Sequence, residues 1–119
     1  MYKGSCHCKQ SSYQVSGDKK FEFMCYCDDC KVIANGRLCG VGFDKSALKH
    51  DGPLKVYAYA GGSGKNIEAH FCSNCSTTLF AYPLAHEDAV VIRANTLEDP
   101  SIFQPQQKLF EEKKGSWEN

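Results

Sequence analysis

Eight cysteines constrain this 119-residue chain more than any other feature: Cys6, Cys8, Cys25, Cys27, Cys30, Cys39, Cys72 and Cys75. Seven of them fall into three tight clusters, C-x-C at Cys6/Cys8, C-x-C-x-x-C at Cys25/Cys27/Cys30 and C-x-x-C at Cys72/Cys75, while Cys39 stands alone. A disulfide framework gains most from bridges that close long loops, so it spreads its cysteines singly along the chain. Clustering does the reverse. Two thiolates one or two residues apart can both reach one tetrahedral ion at a Zn–S distance of ~2.3 Å without straining the backbone. The pattern therefore predicts metal chelation by reduced thiols rather than disulfide bridges.

A single four-thiolate site would leave three clustered cysteines unused, so two Zn2+ ions are expected. If Cys6/Cys8 pair with Cys72/Cys75 in a closed site, the triplet Cys25/Cys27/Cys30 holds a second ion with three protein ligands. Closed four-ligand zinc is the structural arrangement, and three ligands with an open position the chemical one. Under that partition the functional site is the triplet. The rival partition joins Cys72/Cys75 to two members of the triplet, and spacing alone admits both. Cys39 bears on the choice because it could close the triplet. In Arg37–Asp44 it alternates in phase with Val41 and Phe43, the period of a strand. It is expected to be a small, buried apolar residue, as free cysteines usually are.

Charge narrows the function further. The 14 Lys+Arg balance 14 Asp+Glu, and the lysines form no basic tract, so nucleic-acid and membrane-surface binding are disfavoured. The segment Met1–Cys6 has no apolar signal-like region, and the chain contains no run of ~18 apolar residues. A soluble cytoplasmic protein is expected, forming one zinc-binding domain over residues 1–119.

Short alternating apolar runs separated by Gly, Ser, Asn and Asp predict a mainly β architecture. The expected strands are Ser12–Val15, Phe21–Phe23, Leu38–Phe43, Leu54–Tyr59, Ile67–Phe71, Thr78–Tyr82 and Ala89–Ala94. Asp28–Ala34 is expected to form a helical turn or two, ended by Asn35-Gly36. The glycines of Ala60–Asn66 lack the strand-to-helix context of a phosphate loop and predict a hairpin connection. Cys72/Cys75 thus lie in a turn between two strands, where backbone N–H groups can be aimed at the sulfurs.

Gly4-Ser-Cys-His-Cys8, Cys25-Tyr-Cys-Asp-Asp-Cys-Lys31, Phe71-Cys-Ser-Asn-Cys75 and Asn95-Thr-Leu-Glu-Asp-Pro100 together resemble the glutathione-dependent formaldehyde-activating enzyme family, also called the centromere protein V family. The resemblance runs from about Gly4 to Trp117. It implies a mainly β, tent-like fold of small antiparallel sheets organised around a structural zinc held by Cys6, Cys8, Cys72 and Cys75. It also implies an active-site zinc on Cys25, Cys27 and Cys30. The sequence departs from the family pattern at Lys9 and Ser76, where Gly is usual, at Tyr26, where His is common, and at Lys31, where Arg is common.

Three thiolates leave a Zn2+ site with one net negative charge, so a thiol suits its open position better than water does. A thiolate held there could add to a small carbonyl compound, or leave from carbon in the reverse direction. The expected activity is that of a carbon-sulfur lyase type enzyme acting on a thiol adduct, with glutathione as the thiol and formaldehyde as the carbonyl implied by the resemblance. Asp29 is the candidate proton carrier, with a capping residue of the following turn as the plainer role. His7 is expected to point away from the metal, and His70 to face solvent or the surroundings of the metal ligands. The alternatives are a non-catalytic zinc module that mediates protein interaction and an iron-thiolate redox site, which would need four sulfurs per iron.

Overall fold

The computed structural model describes residues 1–118. Strands β1 (Tyr2–Ser5), β2 (Ser12–Val15) and β5 (Leu48–Asp51) form a three-stranded antiparallel sheet in the order β1-β2-β5. The other seven are β3 (Phe21–Cys25), β4 (Leu38–Asp44), β6 (Leu54–Ala60), β7 (Asn66–Cys72), β8 (Thr78–Pro83), β9 (Ala89–Arg93) and β10 (Gln107–Leu109). They make a second sheet in the order β10-β3-β4-β9-β8-β7-β6, antiparallel except where β10 runs beside β3. Helix α1 (Asp28–Ile33) follows the first two cysteines of the triplet. No helix among the described residues is long and apolar enough to cross a membrane.

The fold is mainly β, and every run expected to be a strand is one. The three strands that the pattern missed carry little apolar alternation: β1 reads Tyr-Lys-Gly-Ser, β5 Leu-Lys-His-Asp and β10 Gln-Lys-Leu. Such strands are specified by the backbone edge they pair with and not by a buried face of their own.

Alternation across the pleat gives the large sheet two unlike faces. One face meets the small sheet, burying Val41, Phe43, Phe80, Val90 and Ile92 against Tyr13 and Val15. Each such side chain contributes roughly 1.5–3 kcal/mol on leaving water. Phe80 is the hub of this layer, with the rings of His70, His50, Tyr82 and Tyr13 at centroid distances of 5.0, 5.4, 5.6 and 6.2 Å. His70, expected to face solvent or the surroundings of the metal ligands, is instead half-buried and stacked into this aromatic cluster, because its parity on β7 is that of the covered face.

The opposite face is lined by small residues. A row of directly opposed positions crosses it: Tyr57, Ala69, Ala81, Val91, Gly42 and Phe21. The neighbouring row contains Phe23, Gly40 and Arg93. The rings of Phe21 and Phe23 lie flat over Gly42 and Gly40, so a side chain at either glycine would collide with them. This face ends at Cys25.

The chain after β9 returns to brace β3. Glu22, only 4% exposed, accepts a hydrogen bond from the Gln104 N–H at 2.6 Å and pairs with the Lys19 ammonium at 2.9 Å. The Lys19 ammonium also donates to the Ile102 carbonyl at 2.9 Å. The segment then enters β10, where the Leu109 carbonyl accepts from the Tyr26 N–H at 2.9 Å, one residue beyond Cys25. Removing the buried carboxylate leaves that amide without its charged partner, an effect of about 1.5–3 kcal/mol. Glu22→Ala is therefore expected to lose about that much stability in denaturant unfolding and to become more sensitive to limited proteolysis within residues 102–110.

Candidate metal centres

Two tight turns face one another at the end of the small sheet. The first carries Cys6 and Cys8, the second Cys72 and Cys75, and their four sulfurs all lie within 4.8 Å of one another. Cys6 and Cys72 are buried, Cys8 and Cys75 half-buried. The Cys6–Cys8 and Cys8–Cys72 sulfur separations are 3.6 and 3.7 Å. A tetrahedron with ~2.3 Å metal–sulfur bonds has an edge of ~3.8 Å, so the quartet is already shaped for one ion. Backbone N–H groups point at the sulfurs, Ser11 toward Cys6 at 3.3 Å and Asn74 toward Cys72 at 3.4 Å. The Thr77 hydroxyl beside Cys75, helped by backbone N–H groups, brings that thiol down to about 5.

Both turns close on a left-handed residue. Lys9 (φ 70°) follows Cys8 and Ser76 (φ 66°) follows Cys75, and their N–H groups bond back to the Cys6 and Cys72 carbonyls at 3.2 and 2.8 Å. These are the two positions at which the sequence carries a side chain where its resemblance suggests glycine. A non-glycine residue there holds an unfavourable backbone conformation.

The triplet is built differently. Cys25 ends β3 with its side chain on the small-residue face, and Cys27 caps α1, its sulfur accepting from the Cys30 N–H at 3.3 Å. The three sulfurs lie within 4.8 Å of one another, and among the described residues no further thiol, imidazole or carboxylate joins them. Hydrogen bonding from the Cys30 thiol lowers the Cys25 thiol to about 6, with Cys27 assisting against the effect of burial. Cys30 is pushed up, first by its bond to Cys25 and then by burial. The group thus has one thiol ready to ionise and shared protons that a cation would displace.

Cys39 does not reach the triplet. In the β3–β4 register it lies opposite Met24, whereas Cys25 lies opposite Leu38, so the pleat sends Cys39 to the other face. There it packs, half-buried, against the core. The rival partition is also absent, since Cys72 and Cys75 group with Cys6 and Cys8. Asp29 is exposed in the first turn of α1, and the cap is Cys27 instead. Asp28 pairs with the Lys113 ammonium at 3.0 Å. His7 is exposed.

Two residues near the triplet escaped the sequence reading. Arg93 lies on the triplet's face of the sheet, opposite Gly40. Burial draws its guanidinium down, while Tyr59, Cys30 and Cys39 pull it up. Tyr59 comes from β6, the far edge of the sheet, yet feels Cys30, Arg93, Asp29 and Cys27 in addition to its own burial, which raises its phenol. Tyr59 therefore shares an electrostatic neighbourhood with Arg93 and the triplet although its strand lies at the far edge of the sheet. The signal for Arg93 was present in the sequence: it is the one charged residue in the run Ala89–Ala94.

Comparison with known proteins places these features in context. The family described as "Glutathione-dependent formaldehyde-activating enzyme" matches residues 1–113. A Halomonas elongata protein named "Putative glutathione-dependent formaldehyde-activating enzyme" is 26% identical, over 98% of this chain and 79% of its own length. The crystal structure of a Rhodobacter sphaeroides protein superposes with a TM-score of 0.69 at 18% identity, covering 89% of this chain and 98% of that one; at that identity the likeness is one of fold.

The left-handed turn residues yield a direct expectation. Lys9→Gly and Ser76→Gly should each raise stability by up to about 1 kcal/mol by relieving the backbone cost. Thermal or denaturant unfolding of the metal-loaded protein measures the gain, and the double variant should show roughly the sum.

Proposed function

Because the chain belongs to the glutathione-dependent formaldehyde-activating enzyme family, we propose that it is a zinc-dependent enzyme of the carbon–sulfur lyase type. Its substrate is the adduct of a thiol, with glutathione the leading candidate, and a small carbonyl compound such as formaldehyde. In the forming direction the thiol sulfur bonds to the carbonyl carbon, and the thiol proton ends on the carbonyl oxygen as a hydroxyl. The reverse breaks the same C–S bond and returns the proton to sulfur. The observation that carries this reading is the triplet with no fourth protein ligand among the described residues.

Cys25, Cys27 and Cys30 are the residues proposed to hold the reactive ion, and Cys6, Cys8, Cys72 and Cys75 the structural one, within one zinc-binding domain over residues 1–119. Zinc bound at the triplet would supply a Lewis-acidic position for a thiol at neutral pH. The chain's own groups provide the rest. The backbone N–H of Cys30 steadies the Cys27 sulfur. The aromatic rings of Phe21 and Phe23, lying over the glycines of β4, limit water on the face that leads to Cys25. Asp29, exposed beside the triplet and within electrostatic reach of Tyr59, is the carboxylate placed to exchange a proton with solvent. Reduced thiols in this number fit the cytoplasm. A non-catalytic interaction module would have no need of a three-ligand centre with a buried arginine beside it.

Metal analysis and exchange NMR with labelled formaldehyde and glutathione test the reading together. The intact protein should bind two zinc ions and accelerate adduct exchange. Cys39→Ser should keep both properties, whereas Cys27→Ser should stay folded on one zinc and lose activity by on the order of 100-fold or more. Full activity in Cys27→Ser, or activity that survives complete chelation of both metals, would overturn the reading.

A further inference from the structure

Arg93 is placed in an unusual way for a guanidinium. It sits at the end of β9 in an otherwise apolar strand, half-buried, and its Nη2 is buried with no hydrogen-bond partner among the described residues. No Asp or Glu forms an ion pair with it among the described residues. Burying a guanidinium without a paired carboxylate costs several kcal/mol, and buried polar groups in folded proteins nearly always have a partner. The groups that do act on it are Tyr59, Cys30 and Cys39. None of these is a good permanent counter-ion. Burial and the nearby Cys30 hold the Tyr59 phenol protonated, burial does the same for the Cys39 thiol, and any negative charge on Cys30 is shared with the cation its cluster is built to hold. Arg93 therefore keeps an unsatisfied donor on the triplet's face of the sheet.

The residue directly opposite Arg93 is Gly40, which offers the guanidinium no polar side chain; the Phe23 ring and a Val91 methyl group fill the space over it. A guanidinium presents paired donors that match the two oxygens of a carboxylate. The net charge of the chain is zero, so attraction of an acidic substrate has to come from a local cation such as this one and not from an overall field.

We propose that Arg93 is the carboxylate anchor of the site, its buried Nη2 donating to a carboxylate oxygen of the thiol substrate, so that the protein selects acidic thiols over neutral ones. This inference rests on the reading of the triplet as a thiol-binding centre, and it adds the second point of attachment. Arg93 acts on the substrate at a distance from the sulfur and takes no part in making or breaking the C–S bond.

Calorimetric titration of the zinc-loaded protein tests it with three ligands: glutathione, glutathione with both carboxyl groups esterified, and S-methylglutathione, which keeps the carboxylates but cannot bind as a thiolate. Wild-type protein should bind glutathione about 10–100-fold more tightly than the diester. Arg93→Gln should erase that preference while retaining two zinc ions and the wild-type circular dichroism, and Arg93→Lys should restore part of it. S-methylglutathione should bind weakly and lose its binding in Arg93→Gln. Should Arg93→Gln not fold, Arg93→Lys must still show a reduced preference, because a point charge cannot reproduce the fork.

An unchanged preference in Arg93→Gln would overturn the proposal. So would an equal weakening of acid and diester, which would assign Arg93 to balancing the charge of the sulfurs alone. If wild-type protein binds acid and diester equally well, the anchor falls while the thiol-binding reading stands. If S-methylglutathione binds in an Arg93-dependent way and glutathione binds no more tightly than it does, the anchor stands and the thiol-binding reading falls. Binding of none of the three ligands would overturn both.

Discussion

Four sulfurs drawn to one point from both ends of the fold are the constraint on which the rest of this structure depends. Cys6 and Cys8 lie before the first hairpin, Cys72 and Cys75 beyond most of the large sheet, and the Cys8–Cys72 contact spans 64 residues. Closing so long a loop costs chain entropy that a small core recovers with difficulty. A metal ion bound by the quartet would supply folding free energy directly. The quartet also lies against the aromatic layer between the sheets, since Cys6 and Cys72 belong to the same buried cluster as Phe80 and Tyr13. Packing thus acts on the same contact between the two sheets that an ion held by the four sulfurs would tighten.

The pleat then divides labour within the large sheet. One parity of β4 sends Cys39, Val41 and Phe43 into the core. The other places Gly40 and Gly42 beneath Phe23 and Phe21, in line with Arg93 and Val91. A one-residue slip of β4 would exchange these sets. It would bring Cys39 to the triplet's side and bury glycines where the core needs side chains. The apolar core therefore guards the three-sulfur site against a fourth sulfur, because register errors that would close the triplet also destroy the packing.

Much of this was legible in the sequence because it rests on short-range pattern. Cluster spacing identified the seven grouped cysteines and left two ways of sharing them out, between which the fold decides, and alternation identified the seven strands with an apolar face. What stayed hidden depends on long-range pairing. Strands β1, β5 and β10 have no face of their own to advertise. His70 follows the alternation of β7, but its place against Phe80 depends on how the small sheet covers the large one. Lys9 and Ser76 could be noticed only as departures from a family pattern; their left-handed backbone supplies the reason glycine is favoured there. Arg93 and Tyr59 act on one another from strands two places removed from being neighbours in the sheet, which no single strand encodes.

Charge accounting ties these elements together at the triplet. Three thiolates around a divalent ion carry one net negative charge, and a fourth thiolate would make it two. In a partly buried setting such a build-up is unfavourable unless a fixed cation stands nearby. Asp28 and Asp29 in the first turn of α1 work against it, although Lys113 draws off the charge of Asp28 at 3.0 Å. Lys31 points elsewhere, its ammonium donating to the Lys113 carbonyl at 2.7 Å. Arg93 is then the cation buried on the triplet's own face. Its charge lowers the cost of admitting a thiolate of any kind, whereas its orphaned donor has a direction and can be satisfied only by an acceptor atom. Charge alone would make the centre permissive toward thiols. The direction of that donor is what can make it selective.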